Sequence, residues 1–198
     1  MIGNASWGRT GGRRFSVMNA RFRSVWMVIA LLVFAGTASA KDRPDRRDVR
    51  LADDIVHQVN TYSRFTIFDD VNARIDQGVV TLSGKVTMPF KKNDIGKRIA
   101  GIDGVREVEN KIDVLPVSQF DDQLRHRIAR AIYGHPSFWN YAAMANPPIH
   151  IIVENGRVTL TGVVNSNVER MLARSLATGF GEFSVESELR TDAEMKSN

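Results

Sequence analysis

Gln77-Gly-Val-Val-Thr-Leu-Ser-Gly-Lys-Val86 returns later in the chain as Asn155-Gly-Arg-Val-Thr-Leu-Thr-Gly-Val-Val164. Gly78, Thr81, Leu82, Gly84 and Val86 each meet an identical residue 78 positions on. A repeat at such a spacing is the mark of one folding unit written twice. On both sides of each Gly-containing turn, apolar and polar residues alternate, which is the period of a β-hairpin with one buried face. The alternation predicts strands over about 66–75 and 79–86 in the first copy, and over 149–154 and 157–164 in the second. Gly78 and Gly156 are expected to supply a positive φ in the turns. Gly84 and Gly162 fall inside strands, where glycine marks a bulge or a close approach of backbone.

Outward from the hairpins, Leu51, Ile55 and Val59 in the first copy and Leu124, Ile128 and Ile132 in the second recur at helical spacing. Asp53/Asp54 and Asp121/Asp122 are assigned to the first turns of these helices, where carboxylates favour the positive end of the helix dipole. A second helix is expected after each hairpin, over about 90–100 and 168–177. A last strand then alternates Val108, Asn110, Ile112 and Val114, or Val185, Ser187 and Leu189. The order is αββαβ, twice. The fold class that follows is α+β: two tandem modules, each a three-stranded mixed sheet with two helices on one face. The modules are placed at 48–116 and 119–191, with the joint at Leu115-Pro-Val-Ser118, where proline breaks the strand. Residues 41–47 read as a linker and 192–198 as a tail. Units of about 70 residues are marginal alone, so the copies are expected to pack on each other.

Ahead of the modules, Arg21 and Arg23 precede the uncharged run Val25-Trp-Met-Val-Ile-Ala-Leu-Leu-Val-Phe-Ala-Gly36, which ends at Ala38-Ser39-Ala40. A positive stretch, an apolar stretch and a small-x-small site make a signal peptide over 1–40, cleaved after Ala40. The apolar part is shorter than the roughly 20 residues that span a bilayer. The expected product is a soluble periplasmic protein. Upstream of Met18 the only charges are Arg9, Arg13 and Arg14 and no apolar period is visible, so Met18 is the expected true start.

The leader carries five of the 27 basic residues and none of the 22 acidic ones, which leaves the remainder balanced. The overall pI near 9.8 is therefore a property of the leader, and the usual step from high pI to nucleic-acid binding fails. The chain has no cysteine, which excludes disulfides, thiol catalysis, thiolate metal sites and a lipid-modified cysteine anchor. His57, His126, His135 and His150 show no HxxxH or HxH spacing, so no metal is expected. The paired aspartates, Asp69-Asp70 included, suit helix starts and loops better than an acid/base dyad, and no nucleophile elbow or phosphate loop is present. The reading is of a protein that is not an enzyme and uses no cofactor or small-molecule substrate.

Gly78-Val-Val-Thr-Leu-Ser-Gly84, the helix after it, and Gly104-Val-Arg-Glu-Val-Glu-Asn-Lys-Ile-Asp-Val114 resemble the BON domain, named for bacterial osmotic-stress and nodulation proteins. The second copy keeps Gly156-Arg-Val-Thr-Leu-Thr-Gly162 but has Gly181-Glu-Phe-Ser-Val-Glu-Ser187 in place of the closing Gly-Val-x-x-Val-x-Asn pattern. The likeness spans about 48–190. It implies a periplasmic two-domain protein of envelope integrity and osmotic stress, with anionic phospholipid or envelope proteins as partners and no catalytic residues. In a lipid-anchored relative, the first helix of the second domain contacts lipid, which corresponds here to about 120–133. This chain departs from that relative in having no anchoring cysteine.

Where the copies differ is where a specific function is sought. The second copy holds about nine extra residues between its first helix and first strand, within Gly134-His-Pro-Ser-Phe-Trp-Asn-Tyr-Ala-Ala-Met-Ala-Asn-Pro-Pro148. This insertion contains Phe138, Trp139, Tyr141 and Met144 and no charge. Two readings stand. Either the aromatic residues fold back as a lid on the core, or they form a wedge for a membrane interface or a partner. Arg127 and Arg130, three apart on the preceding helix, are either an ordinary solvated flank or contacts for phosphate headgroups. These six residues are the candidate binding set. The leading functional reading is phospholipid binding through the second copy. The alternative is a chaperone-like or scaffold module whose aromatics and sheet edges bind polypeptide.

Overall fold

Each hairpin turns on two consecutive residues of positive φ, Gln77 (48°) with Gly78 (82°) and Asn155 (51°) with Gly156 (74°). That pair of angles defines the two-residue turn whose twist matches the flanking strands. The computed structural model describes residues 46–196. The leader, the start at Met18 and the first part of the expected linker lie outside those residues.

In the first module, α1 (Arg46–Asn60) is followed by β1 (Asp70–Asp76), β2 (Val79–Val86), α2 (Pro89–Ala100), β3 (Glu107–Asn110) and β4 (Asp113–Val114). The second module repeats this as α3 (Gln119–Tyr133), a 3-10 turn (Pro136–Phe138) running into α4 (Trp139–Ala142), then β5 (Ile149–Glu154), β6 (Arg157–Val164), α5 (Asn167–Leu176), β7 (Ser184–Ser187) and β8 (Arg190–Thr191). A last short helix, α6 (Asp192–Lys196), occupies the segment expected as a tail. Both sheets are mixed: β2 is central, antiparallel to β1 and parallel to β3, and β6 stands likewise between β5 and β7.

Gly84 and Gly162 mark close backbone approach. A Cβ on Gly84 would lie 2.3 Å from the Asp70 carbonyl oxygen, and one on Gly162 only 1.9 Å from that of Pro148. No side chain fits there, so the repeat must keep glycine at both places.

Three expectations need correction. Asp53 and Asp54 do not start a helix, because α1 begins at Arg46 and they sit exposed in its middle. Asp121 and Asp122 do lie in the first turn of α3. Residues 66–69 do not belong to β1, because Asp69 folds them into a turn: its fully buried carboxylate accepts from the Thr66 N–H (2.9 Å) and hydroxyl (2.8 Å). The last strand is not continuous, since β3 stops at Asn110 and pairing resumes at Asp113. There the Asn110 side chain takes over, donating to the Lys92 carbonyl (2.8 Å) and accepting from the Ile112 N–H (3.2 Å). The interruption reverses the alternation, so Leu115 is buried and Val114 exposed.

Two apolar cores result. The first gathers Leu51, Ile55, Val80, Leu82, Val86, Ile95, Ile99 and Ile112. The second gathers Leu124, Ile128, Ile132, Ile149, Ile151, Val153, Val158 and Leu160 with Phe138 and Tyr141 from the insertion. The copies pack on each other through the turn that Asp69 closes. The Ile67 carbonyl accepts from the Ile151 N–H on the outer edge of β5 (2.7 Å), and Ile67 and Phe68 pack against the second core. Phe65 meets the His150 ring, Phe68 meets the His126 ring, and Lys85 pairs with Glu154.

Candidate functional site

The C-terminal end of α3 and the insertion after it form one surface. Ser118 caps α3, its hydroxyl accepting from the Asp121 N–H (3.2 Å). Leu124, Ile128 and Ile132 then face the core, which turns Arg127 and Arg130 to solvent. Arg130 Nε donates to the His126 carbonyl along the helix (3.2 Å), and no other partner holds the guanidinium among the described residues.

The insertion divides: Phe138 and Tyr141 turn inward, Trp139 and Met144 outward. Phe138 is fully buried and Tyr141 nearly so, stacked with ring centroids 6.0 Å apart, and they close the second core. Trp139 is 61% exposed and Met144 49% exposed. Helical spacing accounts for the split: 138 and 141 lie three apart and share a face, whereas 139 points away from it. The Tyr141 hydroxyl donates to Glu169 (2.7 Å) and accepts from the Asn165 N–H (3.1 Å). Burial first, and then the Glu169 carboxylate, push its pKa up to about 12. Asp69, Thr87 and Lys91 hold the corresponding corner of the first module. There Asp69 accepts from the Thr87 N–H (2.8 Å) and hydroxyl (2.9 Å) and from Lys91 Nζ (2.6 Å).

Trp139 Nε1 donates to the Gly134 carbonyl (3.2 Å), which meets the indole's one polar need within the protein while its ring faces outward. Beside it is a shallow concavity of about 620 Å³ lined by Ile67, His126, Ala129, Arg130, Tyr133 and Gly134. The lining is largely apolar. Tyr133 spends its hydroxyl on the Ile149 backbone, accepting from the N–H (3.2 Å) and donating to the carbonyl, and burial raises its pKa. Trp139, the concavity and the guanidinium of Arg130 therefore adjoin, and Arg127 shares a neighbouring depression with Arg130 and His126.

Three further aromatics are exposed, Phe90 in the first module and Phe120 and Phe183 in the second. Phe183 is 79% exposed and Phe120 48% exposed, and both flank the second hairpin turn, within 3.3 Å of where a Gly156 Cβ would stand. The available signal was a comparison of the copies, because Phe183 stands where the first module has Arg106. Among the described residues, no group of three His, Asp or Glu side chains gathers to hold a metal, and no helix is long and apolar enough to cross a membrane.

The model of the BON domain family matches residues 47–116 and again 121–189. The chain is a tandem BON-domain protein. BON domains form a family of non-catalytic binding modules that occur in stress and envelope proteins, and phospholipid is a known ligand of the family. No curated protein matches this tandem BON-domain chain. Among solved structures, CdsD, a structural protein of the type III secretion system of Chlamydia trachomatis, is similar at 13% identity and a TM-score of 0.28. That match covers 75% of this chain and 96% of the other. A CdsD C-terminal domain is similar at 13% identity and a TM-score of 0.26, over 71% of this chain and 96% of its own.

Proposed function

We propose that this tandem BON-domain protein is a non-catalytic, periplasmic binding protein that docks on anionic phospholipid through α3 and the insertion of its second module. The observation that carries the reading is Trp139: an outward indole whose N–H is already satisfied, beside an apolar concavity and two exposed arginines. An amphipathic ring with its polar atom met and its face bare suits the boundary between headgroup and acyl chain. Arg127 and Arg130 are both exposed and would pair with phosphate oxygens, and each cation near an anionic surface adds about 1 kcal/mol of attraction. Phe138 and Tyr141 serve by holding the insertion rigid, so the wedge is Trp139 with Met144.

Co-sedimentation with vesicles tests this. Binding is expected to rise with the phosphatidylglycerol content of phosphatidylcholine vesicles, to weaken as salt shortens the screening length, and to fall in Arg127→Ala/Arg130→Ala. Binding indifferent to headgroup charge and to both arginines would overturn the reading.

A further inference from the structure

We propose that the cleft between α1 and the open edge of β1 in the first module binds an extended apolar polypeptide segment as an added strand. This goes beyond the lipid reading and uses a different module.

The internal repeat supplies the argument. Val71, Ala73 and Ile75 of β1 correspond, 78 positions on, to Ile149, Ile151 and Val153 of β5. In the second module these three are fully buried, whereas in the first Val71 and Ile75 are half-buried and Ala73 is exposed. The second set is covered by Phe138 and Tyr141 from within, and by Ile67 and Phe68 of the first module along the edge. The edge contact is a main-chain one: the Ile151 N–H donates to the Ile67 carbonyl, in the turn that Asp69 closes (2.7 Å).

The first module has the same construction without the occupant. A cleft of about 760 Å³ lies between the α1 residues Ala52, Ile55, Val56 and Val59 and the edge of β1, with Pro147 and Pro148 on its far wall. It is continuous with the contact between the copies, since Phe65 and Ile67 also line it. Among the described residues β1 is an edge strand. Ala73 faces Leu82 in the register in which Ile151 faces Leu160. Because the Ile151 N–H points away from β6, the Ala73 N–H points away from β2 and into the cleft. An apolar wall beside a row of unused main-chain groups is the geometry of strand addition, in which main-chain bonds give affinity and the wall selects side chains.

The occupant's side-chain chemistry follows from the residues that fill the homologous place, Ile67 and Phe68: β-branched and aromatic, without charge. A fluorescein-labelled peptide carrying the sequence 65–68 between uncharged glycine and serine flanks is therefore the probe, with fluorescence anisotropy on the full chain as the readout. Saturable binding is expected, weakened about tenfold by Ala73→Pro, which removes a donor the β1–β2 ladder does not use. Val56→Glu, at a side chain 57% exposed on the cleft wall, is expected to weaken it similarly without affecting folding. A peptide N-methylated at the isoleucine tests the main-chain bonds with the protein untouched, and is expected to bind at least tenfold more weakly. Trp139→Ala, which impairs vesicle binding on the lipid reading, is expected to leave peptide binding unchanged. Absence of binding, or binding that survives both cleft variants because the peptide displaces Ile67 from β5, overturns the proposal. So does a dansyl fatty acid that binds in place of the peptide and is lost in Val56→Glu.

Discussion

Asp69 is the residue on which the joint between the modules turns, and its replacement by alanine gives a large and asymmetric effect. Its carboxylate is fully buried and accepts five hydrogen bonds: from the backbone and hydroxyl of Thr66, from the backbone and hydroxyl of Thr87, and from Lys91 Nζ. Removing it strands two backbone N–H groups and leaves an ammonium with 7% of its side chain exposed. Breaking a buried ion pair from one side costs about 3–5 kcal/mol, and each stranded donor costs about 1–3 kcal/mol. Lys91 keeps the Thr87 hydroxyl (2.7 Å), which argues for the low end, about 5 kcal/mol in all. That is a large share of the roughly 5–15 kcal/mol by which a domain is stable. Lys91→Met removes only one of five donors to Asp69, so its cost is expected to be less than half, about 2 kcal/mol. Asp69→Ala/Lys91→Met is expected to lose less than the sum, because neither group is then left charged and alone. Urea unfolding followed by far-ultraviolet circular dichroism reads all three. A cost for Asp69→Ala below about 1 kcal/mol, or strict additivity in the double variant, would refute the reasoning.

Neighbouring aromatics of the insertion give opposite results on denaturation: Phe138→Ala is expected to lose about 3–5 kcal/mol, whereas Trp139→Ala leaves the melting temperature almost unchanged and diminishes vesicle binding. Burial holds the pKa of His150 below its ordinary value, against the pull of Asp70 and of the Asp69 and Thr66 backbone. Above about pH 6.5 the ring is neutral in folded and unfolded chains alike. Below it the unfolded chain takes up the proton first, so stability falls as the pH drops towards the lowered folded value. Wild type is therefore expected to lose stability relative to His150→Phe between pH 7.5 and 5.5, and parallel curves would count against this. Gly162→Ala drives a Cβ to 1.9 Å from the Pro148 carbonyl oxygen and is expected to prevent the second module from folding, seen as loss of its dispersed amide resonances.

The hairpins were legible in the sequence because three signals agree there: alternation, a Gln-Gly or Asn-Gly turn, and the repeat itself. Three of the four strands, 79–86, 149–154 and 157–164, begin and end where the alternation puts them. The fourth was read too long because Thr66-Ile-Phe continues a strand-like pattern. What ends it is the Asp69 side chain, and a side chain bonding back three residues leaves no trace in periodicity. The start of α1 was missed for a related reason, since exposed aspartates inside a helix look like those of a first turn. At the candidate site, composition was the same for lid and wedge. Only the helical phase after the 3-10 turn turns Phe138 and Tyr141 inward and Trp139 outward, and that phase depends on where the turn begins. His135 sets it, its ring nitrogen accepting from the Ser137 N–H (3.3 Å).

The contact of Ile67 with the edge of β5 also orders events in time. A chain that emerges N-terminus first presents Ile67 before Ile151, 84 positions later. Hairpins and helices form within microseconds, so the first module and its Asp69-closed turn can form before β5 emerges. The open edge of β5, a template for pairing with other chains, can thus meet its cover as it appears. A chain carrying the same two modules in the opposite order would make that edge first and leave it waiting.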